Sequence, residues 1–266
     1  MKISACSLMA YSYRNAYSPK TSFTAKIYQG LGVNDKLPNP SFYADCGNWA
    51  VDYDERERLS KEYTNKILNL CFDDKGELDP KIVGFLDNEK FKLPYGRWGL
   101  ESVQTIKESL ASVVADKQEV DHWFCHGTNS EESAKDILEN GFNPAKTSRA
   151  LYGPGVYFAD EGEALEYSSL VIRARCKGTC GRVVDKFYEK MESGEVCDKL
   201  AKFIGLNSST YGLWHAENAA CKQVLAHYVR KCIVEDLGYD MFHVVDPPEN
   251  CHVVFNPRAI VETKPH

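Results

Sequence analysis

No apolar run in this chain of 266 residues approaches the ~18 residues that a bilayer-crossing helix needs, so neither spanning nor coating of a membrane is expected. An excess of basic residues is lacking as well. The formal net charge is −6, which argues against broad electrostatic adhesion to nucleic acid or anionic lipid. Internal repeats and low-complexity segments are absent. The first ten residues, MKISACSLMA, carry one lysine and only a short, hydroxyl-interrupted apolar stretch, a poor match to a secretory leader. The expected location is the cytoplasm, of the producing cell or of a target cell into which the protein is delivered.

Paired C-x2-C spacings are missing too, although there are ten cysteines. The nearest pair, Cys176 and Cys180 in CKGTC, has no second pair to complete a zinc site, and Cys197 is a distant third ligand at best. No metal is expected. Most cysteines sit inside apolar runs such as Leu70-Cys71-Phe72, which reads as buried thiols rather than a disulfide framework.

What is present is a core-forming composition, 43% hydrophobic and 12% aromatic, sufficient for one large domain or two modest ones. Residues 1–50 are rich in Ser, Tyr, Asn and Pro and read as an irregular arm. From Asp54 to Leu70 the apolar positions Leu59, Tyr63, Ile67 and Leu70 recur at helical spacing. A second helix is predicted from Asp79 to Leu86, with Pro80 in its first turn, and a third from about Leu100 to Val114. The polar stretch ADKQEVD then suggests a boundary, giving a mainly helical supporting or regulatory region over 1–118 and a strand-rich domain over 119–266.

Beyond that boundary, short apolar segments alternate with glycine turns: HWFCHG, GVYFAD, LVIRARC, RVVDKF, MFHVV and CHVVF. Thr128 is positioned to cap a helix with Glu131 three residues on, and Gly141 to stop it. A longer helix is expected from about Ala216 to Leu237, stopped by Gly238. The expected class is α+β.

The order H-G-T, helix, G-F, loop, then YGPGVYFAD and a tyrosine at 167 resembles the catalytic domain of the poly(ADP-ribose) polymerase-like (diphtheria-toxin-like) ADP-ribosyltransferases. The likeness is strongest over 123–167, extends loosely over 119–262, and rests on the compound motif rather than on HGT alone. It implies a split, mainly antiparallel sheet around an NAD cleft, with NAD as co-substrate. It also implies that His126 holds a ribose hydroxyl and that the Gly127 backbone binds the nicotinamide amide. Tyr157 and Tyr167 would bracket the nicotinamide ring, with Thr128 and Ala159 beside the cofactor and Arg149 placed to meet the pyrophosphate. Physical chemistry agrees with the parts: losing nicotinamide builds positive charge on the ribose, so the site must orient the ring and direct electron density at it. A glycine lets backbone approach a ligand amide without a Cβ in the way.

The sequence departs from that family at the position of the glutamate needed for polymer growth, where Cys251 stands, between Asn250 and His252. Glu249, two residues earlier, is the candidate replacement. The serine expected before the second tyrosine is absent from EGEALEY, whose acidic cluster Glu161, Glu163 and Glu166 rims the expected pocket. The leading reading is therefore NAD-dependent mono-ADP-ribosyl transfer to a protein side chain, with His126, Tyr157, Cys251 and Glu249 as catalytic candidates. Two alternatives stay open: a catalytically inactive module that binds NAD or ADP-ribose, and transfer to nucleic acid through the basic strand RARCKGTCGR, which the acidic net charge disfavours. Use as a delivered effector or toxin is a third context.

Overall fold

A computed structural model of the chain describes residues 53–95, 100–146, 150–206, 211–245 and 250–266. The first described element is helix α1 (Tyr53–Cys71). It buries Tyr63, Ile67 and Cys71, each one turn from the next, while Glu62 on the outer face pairs with Arg58 and Lys66 one turn away on either side. Helix α2 (Pro80–Asn88) starts where Asp79 accepts from the Lys81 amide and a proline occupies the first turn, since a proline there forfeits only an amide that has no helical partner.

The predicted third helix starts as a strand. Leu93 and its neighbours in β1 (Phe91–Tyr95) pair antiparallel with β2 (Leu100–Gln104). Helix α3 (Ile106–Val113) begins only after Thr105, whose side chain and that of Glu108 cap each other's backbone amides. That reciprocal cap fixes the helix start more firmly than the apolar spacing upstream of it.

Strand β3 (Val114–Thr128) carries the HGT sequence at its end. Helix α4 (Glu131–Asn140) is capped by Ser130, which accepts from the Ser133 amide, and not by Thr128, which the strand retains. Gly141 ends it at φ 82°, a conformation that other residues adopt only with strain. Then follow β4 (Val156–Phe158), α5 (Glu161–Tyr167) and β5 (Leu170–Val183). The two strands expected at LVIRARC and RVVDKF form one, because β5 stays paired with β3 through the glycines between them. Helices α6 (Phe187–Ser193) and α7 (Glu195–Phe203) lead to α8 (Tyr211–Lys231), which widens over Cys232–Asp236 before Gly238. Strands β6 (Met241–Val244), β7 (Cys251–Val254) and β8 (Ile260–Pro265) close the chain.

The fold is α+β. The main sheet runs β3-β5-β6-β7-β4, antiparallel except for β5 and β6. One edge of β5 follows β3 for its whole length; the other is shared between β8 over Ile172–Cys176 and β6 over Cys180–Val183. A single bridge between Cys125 and Ala159 joins β3 to the end of β4 and draws the sheet into a ring. Phe124, Val156, Phe158, Ala174, Cys176, Met241 and Val254 fill its interior.

The second core lies between the sheet's outer face and the helices, and it ignores the boundary expected at 118. That boundary falls within β3, and Ile67, Leu86 and Leu110 share one cluster with Leu225, Phe242 and Val253. Tyr63 donates to Glu217 and Tyr228 to Asp87 across it, and Lys107 joins Asp87 to Asp236. The helical half is thus one wall of the same structure as the strand-rich half. The described cysteines form no disulfide: seven are buried and Cys251 is partly so. Burial pushes the thiols of Cys71, Cys176 and Cys197 up to about 12, since an apolar surround disfavours thiolate. Among the described residues no cluster suits a metal ion, and no helix is long and apolar enough to cross a membrane.

Candidate functional site

His126 stands near the end of β3, opposite Ile172 of β5, where the Cys125–Ala159 bridge brings β4 alongside. Its Nδ1 lies 2.8 Å from the main-chain oxygen of Tyr157. A carbonyl can only accept, so Nδ1 carries the hydrogen and Nε2 is left as the bare acceptor. Among the described residues Nε2 has no hydrogen-bond partner. Phe142 and Phe158 meet the ring edge-on, at 5.2 and 5.8 Å between centroids. Burial holds the imidazole below its ordinary pKa, outweighing the opposing effect of the Tyr157 carbonyl, so the ring is neutral near pH 7. A neutral ring fixed at one nitrogen and open at the other is an oriented acceptor for a hydroxyl group.

Gly127 is required by its surroundings. A Cβ there would stand 2.8 Å from the Ala164 carbonyl oxygen and 3.2 Å from Tyr167 Cβ, so the last turn of α5 lies directly on this backbone. Tyr167 ends that helix with 82% of its surface exposed. Thr128 is buried, and its carbonyl accepts from Ser168 Oγ. Sequence reasoning looked for a hydroxyl before Tyr167 and missed this one directly after it. The signal lay in EYSS, but only the fold shows that Ser168 reaches β3.

Tyr157 occupies a different place from the one expected. Alternation along β4 sends Val156 and Phe158 into the ring of strands and Tyr157 toward the helical core. Its hydroxyl accepts from the Tyr152 amide at 3.0 Å and donates to the Gly153 carbonyl at 2.9 Å, latching the turn that precedes β4. The phenol is therefore committed within the protein, and only its main-chain oxygen touches His126. Of the two tyrosines expected to bracket a nicotinamide ring, Tyr167 alone presents its ring openly.

Ala159 lies at the bridge to Cys125, and register along β4 and β7 brings it toward Cys251, one step beyond the Phe158–His252 pair. Cys251 is close enough to Tyr157 for the two groups to interact electrostatically. His126 and Ala159 thus lie where β3 meets the end of β4, and Gly127 packs against the last turn of α5 at Tyr167, while Tyr157 and Cys251 face the helical core. Arg149 and Glu249 lie outside the described residues. In α5, Glu161 pairs with His266 at 2.9 Å. The Glu163 carboxyl is held above its usual range by burial and by the charges of Asp160 and Glu166.

Inside the ring a second group of histidines is assembled. His252 stacks on His243 at 4.5 Å with planes 1° apart and leans on Phe124 at 4.2 Å, and His122 meets Phe124 edge-on at 4.9 Å. Burial first, then the charges His243 and His122 would carry, push His252 down to about 3. It is a packed, neutral ring. Compared with family models, with curated proteins and with solved structures, the chain finds no significant match.

Proposed function

We propose that the chain is an NAD-dependent mono-ADP-ribosyltransferase acting on protein side chains. The observation that carries this reading is the fixed, neutral imidazole of His126, whose Nε2 has no hydrogen-bond partner among the described residues, followed by a glycine packed under an exposed tyrosine. These are the features that the resemblance to the poly(ADP-ribose) polymerase-like enzymes asks of an H-G-T strand end. In the reaction the bond between nicotinamide nitrogen and ribose C1′ breaks, and nicotinamide leaves with the electron pair. The acceptor bonds to C1′ through a lone pair: a carboxylate does so without any proton transfer, and a neutral nucleophile gives up its proton to solvent. His126 accepts from a ribose hydroxyl, the Gly127 backbone meets the nicotinamide amide, and Tyr167 covers the ring, a contact worth about 0.5–1.5 kcal/mol beyond area burial. Holding the sugar in a reactive orientation supplies most of the acceleration.

Cys251 stands where a polymer-building enzyme places a carboxylate, and a thiol neither accepts from a ribose hydroxyl as well nor activates an acceptor ribose. Single transfer is accordingly the proposed outcome, with acidic side chains as the favoured acceptors because they bring their own negative charge. Incubation of the pure protein and of cell lysate with NAD tests the proposal. Free nicotinamide and a mass gain of one ADP-ribose are expected, and both should vanish in His126→Ala.

A second reading, an NAD- or ADP-ribose-binding module without turnover, is favoured by two observations: the thiol at 251 and the internal commitment of the Tyr157 hydroxyl. Calorimetric binding of NAD with no nicotinamide released by wild type would select it.

A further inference from the structure

We infer that the cleft between α6, α8 and the turn over 150–154 is a binding site for a compact organic monocarboxylate, gripped by Arg230. The cleft has a volume of about 400 Å³, within the range of small-molecule pockets. Phe72, Leu151, Pro154, Tyr188 and Ala226 form its apolar part, and Arg230, Lys222, Glu189 and Glu192 bring charge to the rest of the lining.

Arg230 lies near the end of α8. Among the described residues its one hydrogen bond runs from Nη1 to the Pro154 carbonyl at 3.3 Å, a long contact to a neutral acceptor. A guanidinium has five N–H donors in a planar fork shaped for a carboxylate. No described Asp or Glu lies within ion-pairing distance of it. A charge partly withdrawn from water without a counter-charge carries a cost, and here partial burial lowers the Arg230 pKa. An anion entering the cleft would complete the pair.

Charge accounting selects the kind of anion. Lys222 in the same wall is already paired with Glu192 at 3.5 Å. His227 sits edge-on to Phe72 at 5.0 Å and is held below its ordinary pKa by burial and by the Arg230 charge, so it adds no charge near pH 7. Arg230 is left without an ion-pair partner among the described residues, while Glu189 and Glu192 already bring two carboxylates to the same lining. A phosphate dianion would meet those carboxylates with a second, uncompensated charge, whereas a single carboxylate on an apolar body matches both the cation and the lining. The cleft's lining does not include His126, and the proposal does not depend on the transferase reading. The two places nevertheless share a turn: Leu151 and Pro154 wall the cleft, and Tyr152 and Gly153 between them hold the Tyr157 hydroxyl.

Calorimetry and thermal melting of the full chain with benzoate, hexanoate, 1-hexanol and inorganic phosphate test the proposal. Saturable binding and a raised Tm are expected with the two carboxylates only. Arg230→Gln should weaken carboxylate binding at least tenfold. Ala226→Leu, which fills the cleft and leaves the guanidinium in place, should do the same, and it decides alone if Arg230→Gln does not fold. Failure of both carboxylates to bind wild type would overturn the proposal. So would equal binding by the variants, or tighter binding of phosphate or hexanol than of either carboxylate.

Discussion

The imidazole of His126 is tied through Nδ1 to the main-chain oxygen of Tyr157 at 2.8 Å, so the orientation of the ring is inherited from the backbone of a neighbouring strand. Because no side chain supplies the acceptor, substitution at 157 leaves that tie available, and the roles of the two residues are experimentally separable. His126→Ala removes the proposed hydroxyl acceptor and one hydrogen bond. The variant should lose about 1 kcal/mol of stability and fall by roughly 100-fold or more in nicotinamide release. Urea melts and a nicotinamide assay on the same preparation check both figures.

Tyr157→Phe should show the opposite balance. The ring stays, the His126 tie stays, and the Tyr152 amide loses the phenol oxygen that accepts from it. A destabilisation of about 1–3 kcal/mol is expected, with NAD affinity changed less than threefold. A large loss of affinity with unchanged stability would instead place the phenol in contact with the cofactor.

Two glycine replacements should move stability in opposite directions. Gly127→Ala drives a Cβ to 2.8 Å from the Ala164 carbonyl oxygen, a backbone atom that yields only if α5 shifts, at a cost of about 1–3 kcal/mol. Gly84→Ala, in α2 with nothing within 4 Å of the new Cβ, should gain about 0.5–1 kcal/mol through helix propensity and a stiffer unfolded chain. Paired thermal melts read both signs.

Acid should weaken the fold through His252. Its pKa falls from 6.5, the ordinary value of a solvated imidazole, to about 3 in the folded state, so the unfolded chain takes up a proton first as pH drops. The stability tied to this ring is whole above about pH 6.5 and is lost progressively toward pH 3. At pH 5 the loss relative to pH 7.5 is about 2 kcal/mol. Denaturant titrations at the two pH values should show that difference in wild type and a smaller one in His252→Phe.

Local signals carried the punctuation of the chain. Gly141 and Gly238 were legible as helix stops because a positive φ leaves few alternatives, and both adopt one. VYF and CHVV were legible as strands from their β-branched and aromatic content. Leu100–Gln104 was misread as helix because a reciprocal cap at Thr105 and Glu108 outweighed an apolar spacing that also suits a strand. Helices over Phe187–Phe203 went unassigned, their short segments offering little periodicity before Gly194 divides them. In the site, the HGT strand end and its neighbour at VYF were readable because both lie in contiguous motifs. The direction of the Tyr157 ring was not, since it depends on which face of β4 meets the helices. The Arg230 cleft was invisible, being assembled from residues as far apart as Phe72, Leu151 and Arg230.

A ring of strands that closes on the lone Cys125–Ala159 rung has a seam. Among the described residues two amide hydrogen bonds, Cys125 to Ala159 and the return, zip this edge, against thirteen paired positions between β3 and β5. Deuterium should enter these two amides long before it reaches the middle of β5. Loosening there would swing the Ala159 end of β4 away from His126 and so alter the spacing of the residues to which the proposed dinucleotide would bind.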